Sequence, residues 1–268
     1  MTFYEKLRSI QEKNESLLCI GLDPDIRRIP GSLRASANPV LEFNRRIIEA
    51  TADLVCAYKL NLAFYESYGE AGWRTIQATL ALIPPEIVSI GDGKRGDVGN
   101  SSNAYAQALF QTHNFAACTV SPYMGEDSVT PFLRDEERGA FLLALTSNPG
   151  ARDFQYLRVR GKPLYEHVIA KAKKWNRRGN CGLVVGATRP RELKKIRALA
   201  PGMPLLIPGV GSQGGDLKTA VRSGCDRSGY MAIINSSRGI IYASAENDFA
   251  TAARGAAIAL QEDINRYR

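Results

Sequence analysis

Three stretches of this sequence carry residues whose types and spacing could do chemistry. The densest is Asp92-Gly93-Lys94-Arg95-Gly96-Asp97. In extended backbone, residues two apart share a side, so Asp92 and Lys94 should project together. A lysine beside a carboxylate keeps its charge. Its ammonium could stabilise negative charge on a reacting carbon and then protonate it. Taken alone, the same stretch also fits a charged surface turn. The second stretch is Gly209-Val210-Gly211-Ser212-Gln213-Gly214-Gly215, with Ser237-Arg238-Gly239 further on. Glycine amides can approach a phosphate closely, and a guanidinium can clamp it. Gly209-x-Gly211-x-x-Gly214 also matches the dinucleotide fingerprint. That fingerprint belongs in the first strand–helix turn of its fold, with an acid at the next strand end. Here the next apolar run ends in Asn235. The third is Lys59, in an apolar run where a charge needs a partner.

These residues must be positioned by regular elements. Apolar, β-branched runs cover residues 17–22, 54–60, 87–90, 116–120, 140–145, 182–185, 205–207 and 231–234. Continuous rather than alternating runs suit parallel strands buried on both faces. Helical patterns separate them. Asn38-Pro39 reads as a cap and first-turn proline before Val40, Phe43, Ile47 and Ile48. Trp73, Ile76, Leu80 and Ile83 make a stripe that Pro84-Pro85 stops. Thr188 to Pro190 opens another helix, with Leu193, Ile196 and Leu199 on one side. Eight strand–helix units predict a closed (β/α)8 TIM barrel, a single domain over residues 1–268. An open doubly wound sheet is the other arrangement this pattern allows.

In such barrels chemistry lies at the C-terminal strand ends. Those ends are Asp23, Lys59, the Asp92–Asp97 stretch, Thr146-Ser147-Asn148-Pro149-Gly150, the glycine-rich loop and Asn235-Ser236-Ser237-Arg238. A charged sextet at the end of a buried strand, opposite a second lysine, reads as a site rather than a turn.

Composition excludes several classes. The five cysteines show no C-x-x-C spacing and only His113 and His167 are present, so a Cys/His zinc site is not expected. Reduced, buried thiols in a cytoplasmic protein are. No apolar run approaches a membrane span, and the first residues lack an apolar leader core. The net charge of +8 is scattered, densest between Arg152 and Arg178, without interleaved aromatics. That suits an anionic metabolite better than nucleic acid.

Asp92-x-Lys94-x-x-Asp97 after the third run resembles the hallmark of orotidine monophosphate decarboxylases, in the bacterial form Lys-Arg-Gly-Asp. So do Gly21-Leu22-Asp23-Pro24, the segment from Tyr58 to Glu66, Ser147-Asn148-Pro149-Gly150, Pro208 to Gly215, and Ser237 to Tyr242, all in the family's order. The resemblance implies metal-free and cofactor-free conversion of orotidine 5'-monophosphate to uridine 5'-monophosphate by a homodimer with shared active sites. Lys94 would protonate C6 of the pyrimidine, and Asp92 would lie against the substrate carboxylate. Lys59 would hold Asp92 and contact the ribose, and Asp97 would reach into the partner's site. Asp23 would bind a ribose hydroxyl, Ser101 the ribose from the partner side, and Ser147 the pyrimidine. Gln213, Ser237 and Arg238 would line the phosphate end. A threonine is more usual than Ser101, and Gly93 and Gly99 stand where bulkier residues are usual. Magnesium-dependent sugar-phosphate decarboxylases share the D-x-K-x-x-D motif but place an acid where this chain has Lys59. A Schiff-base aldolase is a further alternative use of a barrel lysine.

Overall fold

The computed structural model describes residues 1–210 and 216–268. Eight parallel strands close into a barrel. They are β1 (Leu18–Gly21), β2 (Ala57–Asn61), β3 (Val88–Arg95), β4 (Ala117–Val120), β5 (Gly139–Leu145), β6 (Cys181–Val185), β7 (Leu205–Pro208) and β8 (Ala232–Ser236). β1 pairs with both β2 and β8, which closes the ring. Closure excludes the open doubly wound sheet. It also leaves the barrel sheet without an edge strand.

The outer layer holds the helices expected from the periodicity. Pro39–Thr51 is capped by the Asn38 side chain, which accepts from Leu41 N at 3.0 Å. Gly69–Leu82 ends before the two prolines. Pro190–Leu199 begins at its proline, with Arg189 as the preceding cap residue. The helix Phe3–Lys13 runs to the N-terminal side of the barrel, where Phe3 meets the ring of Phe141 edge-on at 5.9 Å.

Three boundaries differ from the sequence reading. Leu54 lies in a short 3-10 turn rather than in β2, so that strand starts at Ala57. β3 does not stop at Ile90 but runs through Asp92 and Lys94 to Arg95. The basic segment is more than a loop and one helix. A short helix (Ala151–Phe154) and a small antiparallel hairpin (Arg158–Val159 with Lys162–Pro163) precede the helix Leu164–Trp175. All five cysteines are free, and four are buried. Burial pushes the Cys56, Cys181 and Cys225 thiols up to about 12, far from reactive thiolates. Among the described residues, no helix is long and apolar enough to cross a membrane.

Candidate active site

A cavity of about 1020 Å³ opens at the C-terminal ends of the strands. Its floor is apolar, made of Leu143, Val184 and Leu206 from the barrel interior. Its walls are polar and come from nearly every strand end, as expected of a barrel mouth.

One wall holds the charged array. Lys59 is the middle residue of β2, its side chain 5% exposed, and Asp92 lies on the adjacent β3. Lys59 Nζ donates to Asp92 Oδ2 at 3.0 Å and lies 3.8 Å from Asp23 Oδ1. Lys94 Nζ donates to Asp92 Oδ1 at 2.7 Å. Burial opposes the charge on Lys59, but the carboxylates of Asp23 and Asp92 outweigh it and raise its pKa. Burial likewise works against the Asp92 carboxylate, yet Lys59 and Lys94 hold it well below the usual carboxylate range. Both groups are therefore charged at neutral pH. Asp23 sits at the rim of β1, where Oδ1 accepts from Asn61 N at 3.3 Å.

The neighbouring arginine of the motif points elsewhere. Arg95 pairs with Glu66, and its guanidinium lies 5.4 Å from the Tyr105 ring centroid. Lys94 has a left-handed backbone, φ +47°, which is uncommon for a residue with a side chain. Such a conformation persists where surrounding contacts fix it, and it clusters at functional sites.

The opposite wall has a different character. Ser147, after β5, packs on Gly186: a Cβ there would lie 2.2 Å from Ser147 Oγ. That hydroxyl is buried without a hydrogen-bond partner among the described residues. Its oxygen is turned onto Gly186, and a side-chain rotation would bring the unpartnered hydroxyl into the cavity that Ser147 lines. Ser237 and Arg238 follow β8 and line the cavity beside Gly209, which has φ +95°. Gly21 of β1 makes room for Ser237, since a Cβ at Gly21 would sit 1.9 Å from its Oγ. Tyr242 ties this end to β1: its hydroxyl accepts from Asp25 N at 2.6 Å, and Arg28 lies over its ring at 3.9 Å.

The cavity thus brings together Asp23, Lys59, Asp92, Lys94, Ser147, Ser237 and Arg238. It does not include Asp97 or Ser101. Asp97 follows β3 half-buried, its Oδ1 accepting from Val98 N at 2.7 Å, and Ser101 is exposed on the helix Gly99–Gln107. Gln213 lies outside the described residues. Sequence reasoning missed Thr119, Asn61 and Tyr242 as lining residues. Thr119 carried a usable signal, a polar residue inside the apolar run of β4. Tyr242 and Asn61 lay inside recognised segments without a role attached.

Residues 16–254 match the Orotidine 5'-phosphate decarboxylase / HUMPS family. This chain belongs to that family. It is 50% identical over 272 residues to orotidine 5'-phosphate decarboxylase of Dehalococcoides mccartyi, covering 100% of this chain and 99% of that one. The enzyme of Thermomicrobium roseum is 49% identical over 271 residues, with 100% and 96% covered. Among solved structures, OMP decarboxylase of Leishmania donovani superposes with a TM-score of 0.88 at 38% identity, covering 100% of this chain and 99% of that one. Its family membership fits the geometry of the mouth, where lysine rather than acid flanks Asp92.

Proposed function

We propose that this chain decarboxylates orotidine 5'-monophosphate to uridine 5'-monophosphate, with Lys94 as the proton donor. The observation that carries the reading is the ordered array Lys59–Asp92–Lys94 at the strand ends, with both Asp92 oxygens engaged by ammonium groups at 3.0 and 2.7 Å. The C6–carboxylate bond breaks, CO2 departs, and the electron pair stays on C6. Lys94 Nζ stabilises that carbanion and transfers its proton to it, then recovers a proton from solvent. Asp92 pairs with Lys94 and faces the departing carboxylate. Lys59 keeps Asp92 ionised, and Asp23 takes a ribose hydroxyl. The unpartnered Ser147 hydroxyl, rotated from Gly186 into the cavity, meets the pyrimidine. Ser237, Arg238 and Gln213 grip the phosphate, whose remote binding energy is used to raise the rate.

Neither a metal nor an organic cofactor enters this reading. A divalent cation at Asp92 would have to displace two ammonium groups. Lys94 Nζ is engaged by the Asp92 carboxylate, whereas an aldolase lysine needs a free amine to attack a carbonyl.

Residues 1–268 act as one barrel domain and work as a homodimer with shared sites, Asp97 and Ser101 serving the partner's cavity. Their position outside this chain's own mouth supports that reading. So do the exposed apolar residues around them. Val98 and Tyr105 flank the two, and Tyr123 (82% exposed) and Met124 follow β4. The β3 and β4 ends adjoin, since Ser121 N donates to Arg95 O at 2.7 Å. Exposed apolar surface of this kind suits a subunit interface. Five free cysteines suit the reducing cytoplasm.

The test is the loss of ultraviolet absorbance of orotidine 5'-monophosphate with EDTA present. Rapid decay supports the reading. No decay by folded protein rejects it, and decay only after added magnesium redirects it to the sugar-phosphate relatives.

A further inference from the structure

We infer that Thr119, which lies outside the charged motif, is a positioning residue: its hydroxyl bridges a gap in the barrel ladder and holds the Lys94 backbone and the Asp92 carboxylate in one geometry. The inference rests on the decarboxylase reading above.

The gap is visible in the register of β3 against β4. Ile90 stands opposite Ala117 and Gly91 opposite Cys118, but the next partners are Arg95 and Val120. Asp92, Gly93 and Lys94 therefore face the single residue Thr119. Such a bulge re-aims side chains at a strand end, and it leaves backbone groups without ladder partners. Here the re-aimed side chains are the two at the centre of the site.

Thr119 fills the gap. Its Oγ1 accepts from Lys94 N–H at 2.9 Å and donates to Asp92 Oδ1 at 2.9 Å. A hydroxyl has one donor and two acceptor lone pairs, so both bonds form together. Thr119 is 1% exposed, so neither bond competes with bulk water. The Lys94 amide it holds belongs to the left-handed residue at φ +47°. The carboxylate oxygen it holds is the one that Lys94 Nζ also contacts, at 2.7 Å. One hydroxyl thus fixes both ends of the Asp92–Lys94 pair. The bulge has little freedom to settle elsewhere: a Cβ at Gly93 would lie 2.8 Å from Leu62 Cδ1.

Two substitutions separate this role from packing. Thr119→Val keeps the shape and removes both hydrogen bonds. Thr119→Ser keeps the hydroxyl and removes a methyl. A hydrogen-bonding role makes valine the damaging change, whereas a packing role makes serine the worse one. The experiment measures kcat and KM for orotidine 5'-monophosphate in wild type and both variants, with thermal melts to confirm folding. Thr119→Val is expected to lower kcat by about 10–100-fold, the scale of misplacing a reacting group by a fraction of an ångström to one ångström. KM should move by less than about 3-fold, because the phosphate contacts are elsewhere. Thr119→Ser should retain most of kcat. A valine variant with wild-type kcat, or a serine variant as impaired as the valine one, overturns the inference. If Thr119→Val does not fold, hydrogen exchange of the wild-type Lys94 amide decides. Slow exchange supports the bridge, and exchange as fast as an open amide overturns it. A wild type inert towards the nucleotide overturns the decarboxylase reading and this inference with it. An active wild type beside an unaffected valine variant overturns only the role of Thr119.

Discussion

The two ends of the barrel mouth are built on opposite principles. At the β2–β3 end every charge is matched within the chain: Lys59 by Asp92 and Asp23, and Asp92 by both lysines and Thr119. At the β8 end the charge is left open. Arg238 is exposed and makes no ion pair among the described residues. Arg28 rests on the Tyr242 ring and makes no ion pair among the described residues. The reacting end is thus assembled before substrate arrives, as electrostatic preorganisation requires. The other end offers cations that the proposed substrate's phosphate would complete. Substitutions at the first should therefore fall on kcat, and substitutions at the second on affinity.

The largest effect belongs to the assembled end. Lys94→Ala removes the proposed proton donor and its field, and kcat should fall by at least ~10⁴-fold in a steady-state assay. Retention of a tenth of the activity would dissolve the contrast between the two ends.

Next comes Asp97, the residue proposed to serve the partner's site. Asp97→Ala and Lys94→Ala dimers should each be nearly inactive alone. After dissociation and remixing in equal amounts, half the dimers are mixed and each carries one intact site. Activity should return to about a quarter of wild type. No recovery, with exchange of subunits verified by mass, would place Asp97 outside a shared site.

Arg238→Ala probes the open end. Losing a charge-assisted phosphate contact costs ~2 kcal/mol or more, so KM should rise by about 30-fold or more. A fall in kcat alone would contradict the division of labour.

The smallest effect is with pH. Asp92 has its folded pKa lowered from 3.8, so its contribution is present above that value and lost as pH falls through the folded one. Lys59 has its folded pKa raised from 10.5, so its contribution is intact below that value and lost as pH rises through the folded one. Between about pH 5 and 9 neither group changes charge. The stability difference between wild type and Lys59→Met should stay constant across that window in thermal melts. A step near neutrality would mean that one of the pair titrates there.

The same contrast marks what was legible in the sequence. The barrel was, because parallel strands buried on both faces write themselves as continuous apolar runs. Lys59, Asp92 and Lys94 were legible as a group, since charges at the ends of such runs have few places to go. The extent of β3 was not. Its last residues are charged, and the hydrophobic pattern stops at Ile90 while the chain stays extended to Arg95. For the same reason the bulge was hidden. Two-residue parity assigned Asp92 and Lys94 to one side, and they do meet, but through an irregular ladder and a left-handed lysine. Thr119 stood out only as one polar residue in the β4 run, and because its partners lie across the hidden bulge nothing tied it to the site. The small hairpin at residues 158–163 escaped because its pairing is two residues long.

The most direct test of the contrast is calorimetric titration of uridine 5'-monophosphate onto Lys94→Ala. If the two ends work separately, the product should bind within about 3-fold of its wild-type affinity while turnover is lost. A loss of affinity of about 100-fold or more would contradict the account, because it would make Lys94 part of the grip rather than of the chemistry.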